Sequence, residues 1–150
     1  MNFSAPAFGS PEEAAIDGFP PAHVRVVACS VEGDEAYVVL DTGPAGYPEL
    51  YGSTVSRGAE GWLVGTSGNG PSAGWTLTAA KGDLGTAFVY GDAPAGADRV
   101  RASLDGDTQD AEVRDGYYLV AWWRVPSSAP EPRLLGFRVG GEWSGTWPAP

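Results

Sequence analysis

Reactive side chains are scarce in this chain. It carries one cysteine, one histidine, one lysine and one methionine in 150 residues. A lone Cys29 excludes an intramolecular disulfide. One His and one Cys also fall short of the usual zinc ligand sets. His23 is the only imidazole base, and it opens a predicted strand over 23–31. Cys29 follows on the same strand, about 20 Å away if the backbone is extended. A Cys–His nucleophile pair is therefore not expected, and Cys29 reads as a small buried apolar residue.

Positive charge is scarce as well. Lys81 is the single lysine, and nineteen acids against nine bases leave a formal net charge of −10. Non-specific phosphate-backbone binding needs a basic footprint, so a nucleic-acid partner is not expected. A basic protein partner steered in by charge is permitted. No apolar run approaches the roughly 20 residues of a membrane span. The opening residues, MNFSAPAFGSPEEAA, lack the basic and apolar regions of a secretory signal. The expectation is a cytoplasmic protein with no membrane partner.

The familiar motifs fail on inspection. Residues 68–73 spell G-x-G-x-x-A, but a dinucleotide fingerprint must follow a strand and open a helix. Here Pro71 interrupts it and a strand follows. Lys81 comes after two alanines, so there is no P-loop. Ser67 is not in a nucleophile elbow, because Asn69 holds the required glycine position. The stretch 65–74 reads instead as a mobile loop, and loops of this kind carry binding residues. Ser67 and Asn69 are its candidates. Asp105, Asp107, Asp110 and Glu112 offer oxygen ligands for calcium without EF-hand order. They fall on a hairpin, where Asp is common for turn reasons. No carboxylate pair stands out for glycoside hydrolysis, and no cofactor is expected.

What the chain does have is glycine, proline and aromatics. Twenty-two Gly and thirteen Pro, scattered throughout, suit many short strands and turns. One helix is expected after Ser10: Ser10 can cap it, Pro11 fits its first position, and Glu13 completes a capping box. It should end near Asp17-Gly18. A hairpin follows over 23–41, turning at Glu32-Gly33, then weaker strands over 47–57, 61–64 and 75–78. The most legible stretch is 93–125. It reads as three strands joined by two Asp-Gly turns, a pair that supplies positive φ. The last of these, from Tyr117, is apolar on both faces, which predicts a central strand covered above and below. A further strand over 134–139 turns at Gly140-Gly141.

Six Trp and six Tyr are many for this length. Such rings fill cores, or act on surfaces as hot spots and stacking platforms. Trp62, Trp75 and Trp122 are expected in the core. Tyr51, Trp123, Trp143 and Trp147 are the candidates for exposure and binding.

Three segments, SPEEAA (10–15), GWLVGTSGNG through GWTLT (61–78) and APAGADRVR…VRDGYYLVAWW (93–123), together resemble uncharacterised small proteins of actinobacterial type. The second half also resembles bacterial immunoglobulin-like β domains, in which a V-x-V strand precedes a V-x-D-G turn and an aromatic strand. The resemblance implies fold and a bacterial source, and no activity.

The expected fold is mostly β, a β-rich α+β protein. One short N-terminal helix on an antiparallel sheet (1–82) precedes a β-sandwich-like, immunoglobulin-like half (83–150), the two sharing one continuous interface. The expected function is a non-enzymatic acidic binding protein that engages a basic protein partner, as an inhibitor, immunity protein or assembly component. The alternative is a carbohydrate or small-ligand module using exposed Trp and Tyr.

Overall fold

The computed structural model describes residues 8–44, 49–68, 72–77 and 84–144. Among them are eleven strands, one α-helix and one 3₁₀ turn. The fold is mostly β, with a short N-terminal helix. The chain divides into two compact units, Met1–Gly70 and Pro71–Pro150.

The first unit is a helix on a meander. Strands β1 (Arg25–Glu32), β2 (Glu35–Asp41), β3 (Leu50–Gly58) and β4 (Gly61–Gly68) lie in chain order, all antiparallel. Helix α1 (Pro11–Ile16) starts as its local sequence dictates. Ser10 Oγ accepts from Glu13 N at 3.2 Å, and Pro11 takes the first helical position. That cap is worth about 1 kcal/mol, too little to hold so short a helix alone. Packing supplies the rest. Ala14 and Ala15 lie against Ala36, Val38 and Leu40 of β2, Val55 of β3 and Trp62 of β4. Each such Val or Leu, fully buried, contributes about 1.5–3 kcal/mol.

Two details differ from expectation. His23 belongs to a 3₁₀ turn over Pro21–His23, closed by His23 N donating to Pro20 O at 2.9 Å, so β1 starts two residues later. Strand β4 runs on to Gly68, taking 65–68 out of the expected loop, and Ser67 stands opposite Ser53. Pairing with β3, which sequence periodicity cannot report, captures these small residues. Phe8 adds a bridge on the far edge of β4: Phe8 N donates to Trp62 O (3.0 Å) and Trp62 N to Phe8 O (2.8 Å).

The second unit is a sandwich of two sheets. One holds β5 (Ala73–Leu77), β6 (Leu84–Asp92) and β9 (Tyr117–Pro126), in that order. The other runs β11 (Glu142–Ser144), β10 (Arg133–Val139), β7 (Ala97–Leu104), β8 (Asp107–Glu112). Their inner faces share one core. Ala87 and Val89 come from β6, Val100, Ala102 and Leu104 from β7, and Tyr118, Val120, Trp122 and Val125 from β9. One polar clasp crosses it. With the Gln109 amide turned so that donor meets acceptor, its nitrogen donates to Ala121 O (3.2 Å) and its oxygen accepts from Trp122 Nε1 (3.1 Å). Trp75 Nε1 donates to Val125 O at 2.8 Å. No helix among the described residues is long and apolar enough to cross a membrane.

The stretch 93–125 is placed differently from its sequence reading. Asp105-Gly106 does close the β7–β8 hairpin, with φ of 48° and 86°. Asp115-Gly116, at 52° and 84°, makes an equally tight turn between Arg114 and Tyr117. Beyond it, however, β9 leaves β8 and pairs with β6 in the other sheet. The second Asp-Gly pair is a corner between sheets. The doubly apolar β9 is correspondingly an edge strand of a three-stranded sheet, with β6 in the middle. Two covered faces do not require two paired edges. Strand β5 pairs with β6 and so belongs to the second unit.

Candidate functional site

Strand β1 is the outermost strand of its sheet, and its sequence is Arg-Val-Val-Ala-Cys-Ser-Val-Glu. The register fixes which residues face the helix side. Val26 is opposite Leu40, Cys29 opposite Val38 and Val31 opposite Ala36, and all three partners lie in the core under α1. Neighbouring side chains across a ladder share a face. Helix α1 covers these partners but leaves the rim open: Val26 is 37% exposed and Val31 53%. A register shift between Val26 and Ala28, at the buried Val27, brings Val26, Cys29 and Val31 onto one side.

Carboxylates surround this strip. Glu12 Oε1 accepts from Cys29 Sγ at 3.5 Å, which ties the helix to the strand at mid-length. Glu13 and Ile16 are exposed on α1, Asp17 is exposed at its C-cap, and Glu32 closes the strand. The expectation that Cys29 is a buried core residue is corrected here, because the residue is exposed. Its sulfur is sheltered all the same. Burial first, then the adjacent Glu12 carboxylate, push the thiol up to about 12. At neutral pH it is a protonated, weakly nucleophilic group.

The charge is lopsided along the chain. Residues 1–70 hold nine carboxylates against Arg25 and Arg57, whereas residues 71–150 hold ten against seven bases. Both arginines of the first unit are engaged, Arg57 with Asp34 at 2.7 Å and Arg25 with Asp41 at 3.5 Å. Asp41 also accepts from Gly43 N and Glu49 N, each at 3.0 Å, and so fastens the ends of the loop after β2.

The residues singled out from sequence fall elsewhere. Tyr51 and Ser67 do meet, Tyr51 Oη donating to Ser67 Oγ at 3.4 Å across β3 and β4. Tyr51 is half-buried and packs edge-to-face on Phe19, centroids 5.2 Å apart, so its role is cohesive. Asn69 and Trp147 lie outside the described residues. Trp123 is half-buried on β9, beside Arg124, which takes φ 55° at a register shift. Trp143 is exposed on the outer face of the four-stranded sheet, but Arg101 lies over its ring at 4.0 Å and Arg138 at 5.9 Å. Those arginines are themselves held, Arg101 by Asp110 (2.8 and 3.1 Å) and Arg138 by Asp98 (3.0 and 2.9 Å). Of the four acids that suggested calcium, Asp105 sits in a turn and Asp110 and Glu112 hold arginines. Among the described residues no cluster of three or more His, Cys, Asp or Glu could hold a metal.

Sequence reasoning missed the β1 strip because exposure there depends on β1 being outermost. The acid count by segment was the available signal. No protein-family model matches the chain, and neither the curated proteins nor the solved structures contain a match to it.

Proposed function

We propose that the protein is a non-enzymatic acidic binding protein of the bacterial cytoplasm whose first unit engages a basic protein partner, as an inhibitor, immunity protein or assembly component does. The observation that carries this reading is the exposed apolar strip Val26–Cys29–Val31 beside a helix with two carboxylates, a third at its C-cap, and no base. Apolar contact at a core with charge at the rim is the anatomy of a protein interface. The acids would speed encounter and select the partner's sign.

The glycan alternative draws less support, since the Trp143 ring already carries the Arg101 guanidinium. For the second unit we favour the immunoglobulin-like reading. Lettered in chain order, its strands run A-B-E against G-F-C-C′, the immunoglobulin arrangement with the fourth strand moved to the G-F-C side.

The test is paired capture from host lysate with the native chain and with Glu12→Lys/Glu13→Lys. A partner retained at low salt should be lost at about 1 M salt and lost with the variant. A retained set identical for both proteins, with the variant folded by circular dichroism, would sink the reading.

A further inference from the structure

We propose that the basic partner binds as an extended segment that adds a fifth strand to the first unit's sheet, along the outer edge of β1. The proposal rests on the acidic-partner reading above and names how that partner is held. Strand β1 pairs with β2 alone among the described residues, and from Ala28 to Glu32 its register is unbroken. An antiparallel edge strand turns half of its backbone N–H and C=O groups outward, ready for another chain. Natural edges are blunted with lysine, proline or inward charge. Between 26 and 31 β1 has none of these, and its one irregularity lies at the entry of the strand, at Val27. The opposite edge of the sheet is treated differently, since Phe8 bridges Trp62 there.

The side chains fix what the added strand must carry. On the helix side it meets Cys29 and Val31, beside Glu12, and needs apolar residues. On the other side it meets Ala28, Ser30 and Glu32, and a basic residue faces Glu32. Alternation of apolar and basic residues satisfies both. A second copy of this chain fails the same criterion, because it would bring Glu12, Glu13, Asp17 and Glu32 against their like.

The probe is the peptide Lys-Val-Lys-Val-Lys-Val-Lys-Val, compared with the same peptide N-methylated at alternate residues. Methylation removes ladder donors and keeps charge and side chains. Binding to the full chain is followed by amide hydrogen exchange at 28–32 and by fluorescence anisotropy. The expected result is slowed exchange in β1 and at least about tenfold weaker binding of the methylated peptide. Equal binding of the two peptides, or no change in β1 exchange, overturns strand addition. The double variant Glu12→Gln/Glu32→Gln separates the two readings. If the peptides bind equally but this variant weakens both, acidic recognition stands and the added strand falls. If methylation weakens binding while the variant does not, the added strand stands and acidic recognition falls. If neither peptide binds the native chain, both fall.

Discussion

At the scale of single residues, Cys29 shows how little a residue's exposure says about its reactivity. The residue is exposed, yet packing round the sulfur and the Glu12 carboxylate hold the thiol protonated up to about 12. An ordinary thiol ionises near 8.5. Only the thiolate alkylates, so iodoacetamide at pH 8 should modify Cys29 at least about tenfold more slowly than a free cysteine peptide. The rate should keep rising to about pH 12. Glu12→Gln should speed it only in part, because burial is the larger cause. The sign for stability follows. A raised pKa stabilises the fold below the ordinary thiol value and loses that contribution as pH climbs through about 12. Alkylation at the free-peptide rate would remove this account of Cys29.

At the scale of elements, legibility tracked how local the cause was. Ser10, Pro11 and Glu13 act within one turn of chain, and the helix sits where they place it. Asp105-Gly106 and Gly140-Gly141 need only their own φ angles, and each closes its hairpin. What β9 does after Asp115-Gly116 is decided by β6, some thirty residues earlier, and no local pattern contains that. Ser67 likewise looked like part of a loop until β3 paired with it. Of the binding candidates, Tyr51 was legible as an aromatic but not as a packing residue on Phe19.

The clasp between β8 and β9 is an element-scale device of the same nonlocal kind. Gln109 reaches from one sheet to satisfy Trp122 Nε1 and Ala121 O in the other. Gln109→Leu would leave both without that partner, and an unsatisfied group costs about 1–3 kcal/mol. Urea unfolding should show a loss of that size, whereas Thr108→Val, on the exposed neighbour of the same strand, should cost under about 0.5 kcal/mol. Equal effects of the two substitutions would remove the clasp from the account.

At the scale of the whole molecule, charge separates the two units more than fold does. Nine carboxylates face two arginines in residues 1–70, and both arginines are already paired. In residues 71–150 seven bases stand against ten acids, and Arg101–Asp110 and Arg138–Asp98 close as two-pronged pairs. Those arginines hold the Asp98 and Asp110 carboxyls below the usual range, chiefly through their hydrogen bonds. Screening therefore acts with opposite sign in the two places. It relieves like-charge repulsion in the first unit and weakens attraction in the second. Raising salt from about 0.01 M to about 1 M shortens the Debye length from about 30 Å to about 3 Å. Amide exchange in β1–β4 should slow over that range relative to β7, β8 and β10. Any general effect of salt on the protein cancels in the comparison. A uniform response of the two sets of strands would mean that the acids of the first unit exert no net repulsion on one another, and the acidic surface offered to a basic partner would lose its physical basis.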